Sequence, residues 1–298
     1  MNVGKAAQPA TLRDWLRHAE RRFRSARLRF GHGTHTAGDE AAWLLAHTLH
    51  LPHERLERSR ARELTPAERR KASRLIEQRV RTREPLAYLL REAWLGEHRF
   101  YVDERVIVPR SLIAESLRER LHPWIRYPSR VRRVLDLCTG SGCLAVLLAL
   151  AFPHAAVDAT DISAGALAVA RRNLRAYRLG RRVKLLRSNL FADLPPAQYD
   201  LIVANPPYVN AKAMAELPPE YRHEPRLALA SGTDGLRHVR AILRDAGRFL
   251  RPRGLLVVEI GHNRGVLERA FRGLPFTWLE TSAGEDLVFL LAREDLPQ

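Results

Sequence analysis

The chain has 298 residues, 46% hydrophobic and 28% charged, an ordinary globular composition that suits one large domain or a large and a small one. No stretch approaches the roughly 18 unbroken apolar residues of a membrane span, and two cysteines, Cys138 and Cys143, exclude a disulfide scaffold and point to a reducing cytoplasm. The charge of +17, from 50 Lys and Arg against 33 Asp and Glu, has two readings: a nucleic-acid partner, or arginine used wherever a surface cation is wanted.

The opening MNVGKAAQPATLRDW lacks the apolar core of a secretory signal, so a cytoplasmic protein is expected. Thr11 can cap a helix whose Leu12, Trp15, Leu16, Ala19, Phe23 and Ala26 share one face. A second helix is expected from Asp39 to Leu49, after the glycine loop GHGTHTAG. Thr65-Pro66-Ala67-Glu68 forms a capping box with proline in the first turn, opening a helix through Leu75, Ile76 and Val80. FYV at 100–102 and VIV at 106–108, separated by Asp103-Glu104-Arg105, predict a short β-hairpin, and a helix near Leu112–Leu121 follows.

Beyond residue 130 strands and helices alternate. RRVLDL, AAVDATD, RVKLLRS, DLIVAN and GLLVVEIG read as strands, with helices between the first three and from Leu236 to Leu250. FTWLETS and DLVFLLA read as a final antiparallel pair. This alternation predicts an α/β fold with a doubly wound parallel sheet, whose ligands sit at the carboxyl ends of the strands.

The first of these strands ends in Asp136-Leu137-Cys138-Thr139-Gly140-Ser141-Gly142. Such a glycine turn lets a ligand approach the backbone in front of a helix's positive end. Asp161, at the end of the second strand, is placed to accept the hydroxyls of a ribose. Gly140, Gly142 and Ala145 also satisfy G-x-G-x-x-A, so a nicotinamide dinucleotide and S-adenosyl-L-methionine both fit these residues.

The fourth strand separates the two. It ends in Asn205-Pro206-Pro207-Tyr208, a stiff tip that also keeps Asn205 extended. A primary amide or exocyclic amine is a poor nucleophile because its lone pair is delocalised. The Asn205 side-chain oxygen and the Pro206 carbonyl can each accept one of its N–H bonds and aim the nitrogen at the methyl of a sulfonium. Tyr208 can stack on the planar group. This is catalysis by orientation and preorganised dipoles.

The segments D-L-C-T-G-S-G, D-I-S and D-L-I-V-A-N-P-P-Y, in this order, resemble the class I methyltransferases that modify planar NH₂ groups. Within them the chain is similar over nearly its whole length to the bacterial protein-glutamine methyltransferases. FGHGTHTAGDEA, FYVDERVIVPRS, LPPEYRHEP and PFTWLE carry a likeness to the branch that acts on large-subunit ribosomal protein L-three; the other branch acts on peptide chain release factors. The resemblance implies a Rossmann-like methyltransferase sheet with a small helical N-terminal domain and a β-hairpin linker. It implies a substrate-recognition domain at 1–92, a linker at 93–129 and a catalytic domain at 130–298. It also implies S-adenosyl-L-methionine as cofactor and a glutamine-containing segment of a ribosomal protein as substrate. Ribosomal RNA is a further candidate contact, and no membrane partner is expected.

Residue by residue, the resemblance carries cofactor binding to Asp136, Thr139, Gly140, Ser141, Gly142, Asp161, Asn189, Leu190 and Asn205. It carries glutamine binding and catalysis to Asn205, Pro206, Pro207 and Tyr208. Ser188-Asn189-Leu190-Phe191 departs from the family's S-D-L-F, keeping an acceptor near the adenine and losing a charge. The same N-P-P-Y chemistry would serve an adenine or guanine amino-methyltransferase acting on DNA or ribosomal RNA. Residues 210–234 form a long loop expected to act as a lid or recognition segment. His32 and His35 have no third ligand nearby in sequence, so no metal is expected, and Glu259 receives no role.

Overall fold

The computed structural model describes residues 9–297, so most of the opening segment judged for a secretory signal, residues 1–8, lies outside the described residues. The chain folds as two compact units. The first holds residues up to Glu92 together with Pro218–His223; the second holds Ala93–Leu217 and Glu224 onward.

Unit one is built on α1 (Leu12–Ser25), α2 (Ala37–Leu49), α3 (Pro66–Thr82) and the short α4 (Leu86–Leu90). The first three all start at threonine capping boxes, in which the threonine hydroxyl and an acidic side chain three residues on satisfy each other's backbone N–H. For α2 the box is Thr36 with Asp39, so the helix begins before the expected Asp39. The predicted apolar face of α1 is buried at Leu12, Trp15, Ala19 and Phe23. In α3 the buried residue near the end is Arg79, not Val80. Its guanidinium donates to the buried Glu40 carboxylate at 2.6 Å, and removing either partner alone would cost about 3–5 kcal/mol.

The stretch 218–223 packs into this unit through its side chains. Glu220, fully buried, accepts from the Arg29 N–H at 3.0 Å and lies 3.2 Å from the Arg83 guanidinium. The Tyr221 ring lies 4.2 Å from that of His32, centroid to centroid. His32 is therefore a packed core residue and His35 is exposed.

Unit two opens with the hairpin β1 (Ala93–Leu95) and β2 (His98–Phe100), turning at Gly96 with φ +60°. The expected hairpin between 100–102 and 106–108 does not form. Its backbone is claimed elsewhere: Asn173 accepts from the Tyr101 N–H and donates to the Tyr101 carbonyl, while the Asp103 carboxylate takes the Arg105 N–H. Val102, Val106 and Val108 are buried all the same. The helix expected over Leu112–Leu121 is α5 (Ile113–Arg118).

The remaining elements are β3 (Arg133–Leu137), α6 (Cys143–Ala151), β4 (Ala156–Asp161), α7 (Ala164–Ala176), β5 (Val183–Arg187), β6 (Tyr199–Ala204), α8 (Ala211–Ala215), α9 (Arg237–Phe249), β7 (Leu250–Glu259), α10 (Arg264–Ala270), β8 (Thr277–Trp278) and β9 (Val288–Ala292). They form a seven-stranded sheet ordered β5-β4-β3-β6-β7-β9-β8. The first five of these strands are parallel, and β9 is antiparallel to both β7 and β8. Alternate residues of the central strands feed two cores: Val134, Leu201 and Val203 meet α5 and α6, whereas Leu135, Ile202 and Ala204 meet α9 and α10. Burial on both faces explains why β3 and β6 read as continuous apolar runs. No helix among the described residues is long and apolar enough to cross a membrane.

Candidate active site

The order of strands reverses between β3 and β6, which pair in parallel with Leu137 opposite Ala204. Their carboxyl ends, the glycine turn and the proline tip, are therefore neighbours at the crevice where doubly wound sheets bind ligands. A cleft opens there, where doubly wound sheets place their ligands. Gly140, Asp161, Asn189, Leu190, Asn205 and Pro207 line it.

The glycine turn runs in the left-handed region at Cys138 (φ +59°), Gly140 (+54°) and Gly142 (+79°). A Cβ on Gly142 would meet the Ala170 Cβ at 3.0 Å, so this glycine lets α6 pack closely on α7. A Cβ on Gly140 would meet only the Cys138 carbonyl oxygen, at 4.0 Å, so this side of the turn is open. Asp136, Thr139, Ser141 and Gly142 do not line the cleft; they build the turn from behind. Asp136 is fully buried and takes a 2.6 Å hydrogen bond from the Thr139 hydroxyl. Burial, with a smaller push from the Asp161 charge, raises its carboxyl to about 7.

Asp161 stands at the end of β4. One of its oxygens accepts from the Gly140 N–H at 2.9 Å and the other from the Ser163 N–H at 2.8 Å. Each oxygen keeps a lone pair toward further donors. Burial raises the Asp161 pKa against the pull of these backbone bonds.

On the other side, Pro206 and Pro207 are buried while Asn205 and Tyr208 are half-buried. The Asn205 carboxamide makes no hydrogen bond to any described residue and borders the cleft. Pro206 and Tyr208 do not line it. The tip is held from behind by residues to which the sequence alone assigns no role. Asn263 donates to the Tyr208 carbonyl at 2.9 Å and to that of Ile260 at 2.8 Å. Glu259 accepts from the Ser111 hydroxyl at 2.6 Å, the Leu112 N–H at 2.9 Å and, more weakly, the Tyr208 hydroxyl at 3.5 Å. Burial raises the pKa of Glu259, and burial beside this carboxylate raises that of Tyr208. Gly261 passes so close that a Cβ would lie 2.7 Å from the Tyr208 ring.

Two further walls complete the cleft, one of them from the long loop. Arg105 to Ile107 form one; although burial opposes it, hydrogen bonds from Arg105 and Tyr101 hold Asp103 down to about 2, so the Arg105 charge is already matched. Pro225, Leu227 and Ala228 of the long loop form the other with His238 of α9. The loop is pinned to the tip where Val209 pairs with Ala230 and exchanges backbone bonds with Leu229 and Ser231. His238 places Nδ1 2.9 Å from the Ser231 hydroxyl, and the Pro207 carbonyl favours its protonated form against the larger effect of burial. No group of three or more His, Cys, Asp or Glu among the described residues could hold a metal.

Residues 112–218 match the "Methyltransferase small domain" family, and residues 14–90 match the "PrmC N-terminal domain". The chain is 55% identical over 294 residues to the ribosomal protein uL3 glutamine methyltransferase of Burkholderia pseudomallei, covering 96% of each. It is 53% identical over 291 residues to the same-named protein of Neisseria gonorrhoeae, covering 98% of this chain and 97% of that one. Among solved structures, the hMettl16 catalytic domain in complex with MAT2A 3'UTR hairpin 6 superposes with a TM-score of 0.50 at 18% identity, over 76% of this chain and 80% of that one. At that identity the likeness speaks for the sheet and its helices alone.

Proposed function

Since the chain belongs to the family of ribosomal protein uL3 glutamine methyltransferases, we propose that it transfers the methyl group of S-adenosyl-L-methionine to the side-chain amide nitrogen of a glutamine in ribosomal protein uL3. One observation carries the chemistry. The Asn205 carboxamide borders the cleft unbonded, on a tip fixed by two prolines, beside a glycine turn that leaves room for a ligand at Gly140.

The residues present fit the cofactor. Asp161 offers two oxygens oriented by backbone N–H groups, suited to a ribose diol, and Asn189 and Leu190 border the same cleft where an adenine would lie. When bound, S-adenosyl-L-methionine supplies an electrophilic methyl group on a sulfonium. Asn205 Oδ1 and the Pro206 carbonyl accept the two N–H bonds of the substrate amide, hold its face in line and stabilise the positive charge that develops on its nitrogen until one of those N–H protons passes to water. Because these acceptors sit on a proline-stiffened, externally anchored tip, little reorganisation accompanies the reaction. Tyr208, tethered by Glu259 and confined by Gly261, stands behind the cleft and fixes the tip that carries these acceptors. The helical unit, residues 1–92, is the proposed recognition element for the rest of the substrate. In support, it takes in 218–223 from the loop that follows the catalytic tip.

Radiolabelled methyl transfer to ribosomal proteins tests this reading. Protease but not nuclease should release the label, and tandem mass spectrometry should find one extra methyl group on a uL3 glutamine. Label released by nuclease, or found on another protein, would overturn it.

A further inference from the structure

Between α5 and β3 the chain runs through RERLHPWIRYPSRVRR, residues 118–133, with six arginines against the single carboxylate of Glu119. The fold holds this segment firmly. Leu121 and Val131 are buried, and Ile125 packs against the same core. With those side chains turned inward, Trp124 and Tyr127 are left 41% and 50% exposed. The Arg126 and Arg130 guanidinium groups lie 5.5 and 4.7 Å from the centre of the Tyr127 ring. Arg118, Arg120, Arg126, Arg130 and Arg132 are all exposed and have no ion pair among the described residues. Arg133 alone in the segment is neutralised, by Asp158 at 3.0 Å.

We propose that this face, near the amino end of β3 and away from the cleft, binds single-stranded RNA. An isolated exposed ring is ordinary on a protein surface. Two rings three residues apart, on an anchored segment that carries five unneutralised guanidinium groups with two of them against the Tyr127 ring, match what a single strand offers: flat bases to stack and phosphates to pair. The choice of RNA rests on the ribosomal substrate proposed above; the charge and the exposed rings do not depend on it.

The test is fluorescence anisotropy with a labelled oligouridylate of about 12 nucleotides. The wild-type protein should bind at low salt and weaken with a log–log slope of about −0.7 per phosphate contact. Trp124→Ala with Tyr127→Ala should weaken binding by about tenfold or more, and Arg126→Glu with Arg130→Glu by more still. Thermal midpoints and methyl transfer to the free protein substrate should be unchanged, because none of these residues lines the cleft. Absence of wild-type binding overturns the proposal, as does equal binding by the variants. Loss of transfer to the free substrate with RNA affinity unchanged also overturns it, and marks a protein-docking face instead. Since binding is read without methylation, an error in the substrate assignment leaves this result interpretable.

Discussion

The turns that follow β3 and β6 leave the sheet side by side, yet their backbones are prepared for opposite partners. After β3, residues 138–142 visit positive φ three times, and a Cβ at Gly140 would meet only the Cys138 carbonyl oxygen, so the backbone is open to a ligand at the start of α6. After β6, two prolines remove N–H groups and leave carbonyls and the Asn205 amide oxygen. One strand end is an open backbone surface that a ligand can approach; the other is a stiff acceptor surface. A reaction joining a cationic methyl donor to a neutral amide needs both. The comparison makes a division of labour testable: damage to the proline side should appear in turnover, and damage to the glycine side in cofactor affinity.

The largest effect should come from Asn205→Ala. Removing one preorganised acceptor is expected to lower turnover by about 10²–10³, while cofactor affinity by calorimetry stays within a few fold. Parallel losses in both would erase the distinction between the two strand ends. Asp161→Ala is the counterpart. It removes the carboxylate bound by the Gly140 and Ser163 N–H groups, and cofactor affinity should fall about 10–100-fold. Unchanged affinity would mean that the ribose is held elsewhere.

A subtler probe is Gly261→Ala, outside both turns. The new Cβ would press on the Tyr208 ring from 2.7 Å at a residue with φ +55°. Turnover should drop about tenfold through misplacement of the amide, with cofactor affinity intact. A variant whose rate is normal would show that the Tyr208 position is not critical.

What can be read in the sequence is what is local or periodic. The Thr65-Glu68 box is satisfied within four residues, and β3 and β6 declare themselves because both their faces are buried. The glycine turn and the proline tip are legible as turns for the same reason. The hairpin expected at 100–108 fails because Tyr101 finds its backbone partner in Asn173, 72 positions away. Glu220 sits in LPPEYRHEP, part of the loop expected to act as a lid or recognition segment, and is fully buried because the Arg29 N–H and Arg83 meet it in the helical unit. Glu259 and Asn263 support the tip from more than 50 residues further on, a relation no spacing rule encodes.

His238 is equally invisible in the sequence, and it supplies the mildest test. Its ring stands between the long loop and the tip: Nδ1 lies 2.9 Å from the Ser231 hydroxyl, and burial lowers its pKa more strongly than the Pro207 carbonyl raises it. Burial first, and then the neighbouring Arg237 charge, lower the His238 pKa from the usual imidazole value of ~6.5. A depressed folded-state pKa means that the neutral ring's contact is intact above the ordinary value and is lost as pH falls through the depressed one. Turnover should therefore show an acid limb with its midpoint below ~6.5. Because the Ser231 hydroxyl can rotate to accept from a protonated ring, the loss across that limb should be only a few fold. His238→Gln, which keeps a polar side chain at this position but does not titrate, should lower the plateau about two- to fivefold and abolish the limb. A limb that survives in this variant would assign the titration to another group and leave the proline tip anchored by Asn263 and Glu259 alone.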